Sequence, residues 1–267
     1  MRKDPGARGR IVTSDARTPS HDTPVALPGA RSPLFRVEGV ELLSPLTLVF
    51  VRHGVTDMTI TQQLSGSGVP GPPLNAVGRI QAAKAADAVY DIGRRTWPSA
   101  AKVSRVIASP MVRTQETGAA IGRRLGMHPE ADDRLREIHF GAWEGLTAEE
   151  ISADDPQIMH RWRFGEIPAE GGESFADVGA RVDGLLVDLA AQHAELASVG
   201  GDEERTWVAV SHAVAIKCAV GVSMGMPANR WGAIWPVPAS LTMLQLRVST
   251  TGQIVERHLM SVGSPTD

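Results

Sequence analysis

The chain has a single cysteine, Cys218. An intramolecular disulfide is therefore excluded, and so is a metal site built from several thiolates. Cys218 lies in an apolar stretch and reads as a small buried side chain. Long apolar runs are also missing. Nothing approaches the roughly 18 consecutive apolar residues of a membrane span, and the N-terminus lacks the contiguous apolar core of a secretory signal. A cytoplasmic location is the expectation that follows. Charge of one sign is not in excess: 27 Lys and Arg face 30 Asp and Glu, for a formal net charge of −3. That balance leaves no electrostatic footprint for a nucleic-acid partner. Internal repeats are absent, and a length of 267 residues is most simply one domain. The hydrophobic share of 42% and charged share of 21% are ordinary for a globular chain, so the information must lie in local pattern. Arginine outnumbers lysine, and alanine and glycine are abundant, the compositional mark of a GC-rich bacterial genome.

What is present divides into two parts. Residues 1–44 mix Arg, Pro, Gly, Ser, Thr and Asp with no sustained periodicity, and are expected to form a flexible leader. A strand-like piece near 34–43 is expected to dock on the domain that spans 45–267. From residue 46 onward, apolar strand signals at 47–52, 104–108, 206–211, 240–248 and 253–260 alternate with helical stretches near 76–95, 111–126, 174–198 and 213–224. Gly126 and Gly225 stand where helices end in a left-handed residue. The alternation predicts an α/β sandwich with a largely parallel sheet and helices on both faces. Segment 139–172, rich in Trp, Pro, Glu and Gly, is expected to pass over one end of the sheet.

Ligands of such sheets gather outside the carboxyl ends of the strands. Three polar clusters fall there: Arg52-His53-Gly54, Ser109-Pro110 with Arg113, and Ser211-His212. Two arginines and two histidines converging on one point suit few ligands. A zinc ion is disfavoured, because guanidinium groups repel a cation and no carboxylate stands at ligand spacing beside either histidine. A dianionic phosphate suits them better, since each guanidinium offers forked donors to phosphoryl oxygens. Arg113 would lie on the first turn of a helix starting near Pro110, whose free N–H groups add positive potential. A neutral imidazole could attack phosphorus in line while a second histidine donates to the equatorial oxygens. The leaving alkoxide needs a proton, for which Glu137 is the best candidate, with apolar neighbours suited to general-acid work.

Taken in order, Arg52-His53-Gly54 with Thr56, Pro73-Leu74-Asn75 with Gly78 and Gln81, Ser109-Pro110-Met111-Val112-Arg113-Thr114, Glu137-Ile138-His139-Phe140-Gly141-Ala142-Trp143-Glu144-Gly145, Gly171-Gly172-Glu173-Ser174 and Ser211-His212 resemble the histidine phosphatase superfamily, branch 1, also called phosphoglycerate mutase-like. The resemblance covers roughly residues 46–260. It implies a three-layer α/β/α sandwich with a mostly parallel central sheet. It further implies His53 as the phosphorylated nucleophile, Glu137 as proton donor and then base for the incoming water, and Arg52, Arg113 and His212 as the rest of the phosphate pocket. Ser65 and Gly66 match the place where mutases of this family contact substrate. Two departures concern substrate binding: Thr59 replaces an asparagine common in the family, and Ala213 replaces the glycine that usually follows the second histidine. No metal and no cofactor are implied.

The motif set looks most like the acid phosphatase and alpha-ribazole phosphatase-like members. The expected activity is metal-independent hydrolysis of a small phosphorylated metabolite, with neither nucleic acid nor membrane as partner and a homodimer left open. A cofactor-dependent phosphoglycerate mutase is the first alternative, weakened by the compact interval between Glu137 and His212 and by Ile138 and Phe140 standing where mutases place polar contacts. A phosphate-binding regulatory module is the second, motivated by Thr59 and Ala213. Specificity is expected to reside in segment 139–172 and loop 57–73. Glu173 with Ser174 reads either as part of the site or as the start of the following helix. Trp143, Trp162 and Trp231 read as packing residues, one of which could line the substrate mouth.

Overall fold

The computed structural model describes residues 39–266. Its sheet has six strands in the order β3-β2-β4-β1-β5-β6. In chain order these are β1 (Leu46–Arg52), β2 (Val103–Ala108), β3 (Glu130–Ala131), β4 (Arg205–Ser211), β5 (Leu241–Val248) and β6 (Ile254–Ser264). β1, β2, β3 and β4 run parallel to one another, while β5 is antiparallel to β1 and β6 to β5. The helices are α1 (Asp57–Ile60), α2 (Ala76–Asp91), α3 (Val112–Leu125), α4 (Ala148–Ile151), α5 (Ile158–Arg163), α6 (Phe175–Gly200) and α7 (Ala213–Ser223).

β1 explains the layering. A strand covered on both faces reads as a continuous apolar run, because alternate side chains serve opposite cores. Leu46, Leu48 and Phe50 join one core with Val182, Leu185 and Leu189 of α6 and Ile216 of α7. Val49 and Val51 join the other with Ala85, Ala86 and Val89 of α2 and Ile121 of α3. The expected three-layer α/β/α sandwich is the observed architecture. In α6 the buried Val178, Val182, Leu185, Leu186 and Leu189 recur at helical spacing. Its start is a capping box, in which Ser174 Oγ accepts from the Asp177 N–H (3.1 Å) and Asp177 accepts from the Ser174 N–H (2.9 Å). α3 stops at Gly126, whose φ of 72° is the left-handed conformation expected of a helix terminator.

Differences from the sequence reading are local. α2 ends at Asp91 rather than near 95, because the Asp91 carbonyl collects the N–H groups of Arg94, Arg95 and Thr96 in a tight turn. The two-residue β3 and the one-turn α1 had no readable signal. At the start, Leu42 bridges Ser249 and the Leu43 N–H donates to the Val248 carbonyl (2.8 Å), so residues 42–43 extend the sheet beside β5. The part of the expected leader and docking strand that precedes residue 39 lies outside the described residues. No helix among the described residues is long and apolar enough to cross a membrane.

The turn after β1 packs on the first turn of α2 through two glycines. A Cβ on Gly54 would meet the Gly78 carbonyl oxygen at 2.4 Å, and a Cβ on Gly78 would meet the Val55 carbonyl oxygen at 2.0 Å. Only residues without a side chain allow this approach. Gly78→Ala should therefore destabilise the protein by about 1–3 kcal/mol through overpacking, measured as a shift in urea midpoint at unchanged slope; an unchanged midpoint would refute the constraint.

Candidate active site

The site is created by strand register. Parallel pairing sets Arg52 at the end of β1 against Ser211 at the end of β4, and Ala108 at the end of β2 against Val210. The His53 N–H continues the ladder to the Ser211 carbonyl (3.0 Å), and the Ser109 N–H to the Val210 carbonyl (2.9 Å). Three segments thus leave one edge of the sheet together, carrying His53, Ser109 and His212. The two imidazole rings lie 5.1 Å apart between centroids, inclined at 60°.

Hydrogen bonding selects the tautomer of His53. Its Nδ1 is 2.7 Å from the Gly54 carbonyl oxygen, which can only accept, so Nδ1 carries the proton. Nε2 keeps its lone pair and accepts from Arg113 Nε at 3.2 Å. His212 is arranged the other way. Its Nε2 is 2.9 Å from Ser109 Oγ, which also accepts from the Met111 N–H (3.4 Å). Ser109 Oγ can donate to Nε2 or accept from it, and His212 Nδ1 is buried with no partner among the described residues.

Both imidazoles are held well below the usual value of 6.5. For His53 the causes are burial, then Arg113 and Arg52; for His212 they are burial, then Arg113, His53 and Arg52. Both are neutral at pH 7. Burial lowers Arg52, and it brings Arg113 down to about 10, with the Glu137 charge opposing in each case. Each remains a cation at neutral pH. Arg52 donates through Nη1 to the Pro236 carbonyl (3.0 Å), and Arg113 through Nη2 to the Ser65 carbonyl (2.8 Å). Arg52 Nε and Arg113 Nη1 are buried without partners among the described residues. Unmatched buried nitrogens on both arginines, in the same site as two neutral imidazoles, suit an acceptor-rich dianion.

Glu137 is buried, but its carboxyl does not sit among apolar side chains as the sequence suggested. Oε1 accepts from the main-chain N–H groups of Ile138 (3.0 Å), Val214 (3.1 Å) and Ala215 (3.3 Å). The last two are free N–H groups of the first turn of α7, where an oxygen acceptor is favoured. The backbone leading to Glu137 is clamped by Arg181 of α6. Arg181 donates through Nη1 to the carbonyls of Arg134 (2.7 Å) and Arg136 (2.8 Å) and through Nη2 to that of Glu137 (3.1 Å). Its Nε and Nη2 also hold Glu173, at 2.9 and 3.1 Å. Glu173 is accordingly an anchor between α6 and the Glu137 segment, and the cap of the helix is made by Ser174 with Asp177.

Arg52, His53, Arg113 and Glu137 line one cavity of about 940 Å³, together with Thr59, Ser65 and Ala213. His212 stands behind His53, fully buried. Gly66 is not on the cavity wall: its N–H donates to Glu144 (2.8 Å), and a Cβ there would strike Glu144, Ile138 and Phe140. Thr59, on the cavity wall, also has a local role. Its hydroxyl accepts from the Thr56 N–H (3.2 Å) and pairs with Thr56 Oγ1 (3.1 Å), closing the capping box of α1. Trp162 reaches the cavity, whereas Trp143 and Trp231 are core residues.

Sequence reasoning missed Lys217, Arg163 and Trp235, which complete the wall. Lys217 carried a signal, being the one charged residue in the apolar helix α7. Arg163 and Trp235 carried none, because each comes from an irregular or short segment far away in sequence.

Comparison with known proteins gives a consistent family. The model of the histidine phosphatase superfamily (branch 1) matches residues 48–257. A glucosyl-3-phosphoglycerate phosphatase of Mycobacterium tuberculosis is 34% identical over 189 residues, covering 70% of this chain and 79% of that protein. A Yersinia enterocolitica protein named as a probable phosphoglycerate mutase is 30% identical over 189 residues, covering 68% of this chain and 76% of the other. Among solved structures, a mycobacterial glucosyl-3-phosphoglycerate phosphatase in complex with VO3 superposes with a TM-score of 0.70 at 30% identity, covering 82% of this chain and 99% of that one.

Buried neutral histidines make stability depend on pH. His53, His193 and His212 all lie below 6.5 in the folded protein. As pH falls from about 6.5 towards those folded values, the unfolded chain binds protons that the native state refuses, so this contribution to stability declines on acidification. The melting temperature should drop between pH ~7 and ~5, and His212→Asn should make the drop shallower. Parallel melting curves for parent and variant would contradict the assignment.

Proposed function

Because the chain belongs to the histidine phosphatase superfamily, branch 1, we propose that it hydrolyses a small phosphorylated metabolite through a phosphohistidine on His53, without a metal. The observation that carries this reading is the lone pair of His53 Nε2, held on a neutral imidazole and facing the Arg113 guanidinium in the cavity that Arg52 and Glu137 also line. On substrate binding, Arg113 transfers its donors from Nε2 to the phosphoryl oxygens, joined by Arg52 and by His212 Nδ1–H. Nε2 then attacks phosphorus, the N–P bond forms and the ester P–O bond breaks. Glu137 gives a proton to the leaving alkoxide. In the second half, water attacks phosphorus, its proton returns to Glu137, and the N–P bond breaks to release phosphate. The two arginines supply the charge stabilisation that phosphoryl transfer requires.

The named relatives differ in substrate and outcome, one being a phosphatase and another named as a mutase. Phe140 favours hydrolysis here, since it lends the cavity wall an apolar ring and fills no polar contact to a transferred acid. The phosphatase of M. tuberculosis makes glucosyl-3-phosphoglycerate a substrate to test first.

Phosphate release from an aryl phosphate in the presence of a chelator should be lost in His53→Ala, by at least about 10⁴-fold. Rapid acid-labile trapping should show label on His53 in the parent. Full activity in the variant, or interconversion of 3- and 2-phosphoglycerate exceeding hydrolysis, would overturn the proposal. Arg181→Lys loses the fork that clamps the Glu137 backbone, so kcat should fall by up to about 100-fold while KM changes little; equal loss in both parameters would argue against positioning.

A further inference from the structure

Beyond the phosphate pocket, the cavity wall carries two cations on one aromatic ring. Lys217 Nζ lies 4.7 Å from the centroid of Trp235, and Arg163 Cζ lies 5.6 Å from the same centroid. All three residues line the cavity that contains His53. Lys217 is half-buried and Arg163 exposed, and neither side chain has a hydrogen-bond or ion-pair partner among the described residues. Lys217 emerges from α7 five residues after His212, so its stem is fixed by the same helix whose first turn holds Glu137.

Two positive groups against one ring repel each other, and attraction to the ring face compensates only partly. An anion between them removes that repulsion and supplies the missing partner. Burial pushes the Lys217 ammonium down to about 8, with Arg163 and Arg52 acting in the same direction and Glu137 opposing, so it is still a cation at neutral pH. The phosphoryl group itself is provided for by Arg52, Arg113 and His212. A second phosphate would call for a donor set as dense as that one, whereas one ammonium and one guanidinium match a carboxylate.

We infer that Lys217, Arg163 and Trp235 form a subsite for a carboxylate on the leaving group, so that the substrate is a phosphorylated hydroxy acid or a larger derivative of one. The inference rests on the phosphatase reading and deepens it. The volume of about 940 Å³ is at the upper end of the range for small-ligand sites, which leaves room for a further organic group beside Trp162.

The test compares two esters that differ in a carboxylate, 3-phosphoglycerate and glycerol 3-phosphate. The parent protein should favour the acid by about 10- to 100-fold in kcat/KM, the range expected of a charge-assisted contact. Lys217→Gln should bring the ratio close to one, Arg163→Gln should reduce it, and Lys217→Arg should retain most of it. Calorimetric binding of both esters to the His53→Ala protein, with and without Lys217→Gln, gives the same ratio without turnover. A parent ratio near one, or equal loss for both esters in Lys217→Gln, would overturn the subsite while aryl phosphate hydrolysis kept the phosphatase reading intact. Preference in binding that depends on Lys217, with no ester hydrolysed, would uphold the subsite and reject the phosphatase reading. A bisphosphorylated ester preferred over the acid would also overturn the carboxylate assignment.

Discussion

Parallel pairing of β1 with β4, in the register that sets Arg52 against Ser211, is the constraint on which the site depends. A parallel ladder allows no slip of one residue without exchanging the faces of every side chain. Here such a slip would move Leu46, Leu48 and Phe50 out of one core and Val49 and Val51 out of the other. The cores therefore hold the register, and the register holds His53 and His212 5.1 Å apart. The spacing of the two histidines is in this sense a consequence of hydrophobic packing. The close contact of Gly54 with Gly78 then sets the turn that aims His53 out of the sheet.

Burial at this edge is costly for charge, and the arrangement of groups answers that cost in two ways. The imidazoles stay neutral, which preserves the lone pair on His53 Nε2. The guanidinium groups stay charged, with donors on the Pro236 and Ser65 carbonyl oxygens and on His53, and with Glu137 nearby as the balancing carboxyl. Removing any one of these groups changes the electrostatic setting of the others, so they form a unit rather than a set of separate contributions. Arg181 extends that unit away from the two histidines by turning all of its donors to the Glu137 segment and Glu173.

Much of this was legible beforehand. The continuous apolar run 47–51, ending in Arg52 and His53, pointed to a strand buried on both faces with chemistry at its end. The same held for Ser109 after β2 and His212 after β4. Thr59 shows the limit of such reasoning. A hydroxyl beside a phosphate pocket suggested a ligand contact, yet a threonine three residues after Thr56 is also positioned to close a capping box, and Thr59 makes that local bond while lining the cavity. Gly66 shows a second limit, because a glycine matched to a substrate position is here needed for close packing on Ile138 and Phe140.

By itself, the sequence determined the alternation of strands and helices, the two-faced core and the identity of the groups at the strand ends, because these follow from local periodicity and side-chain chemistry. Tertiary structure alone decided three further things. It chose the tautomer of His53 through a single hydrogen bond to Gly54, and it engaged His212 Nε2 with Ser109. It placed the Glu137 carboxyl on the N–H groups of α7, some 77 residues along the chain. It also brought Arg163, Lys217 and Trp235 to one wall from three separate segments. Each of these rests on contacts between residues distant in sequence and on exclusion of water, and neither exists until the layers have packed.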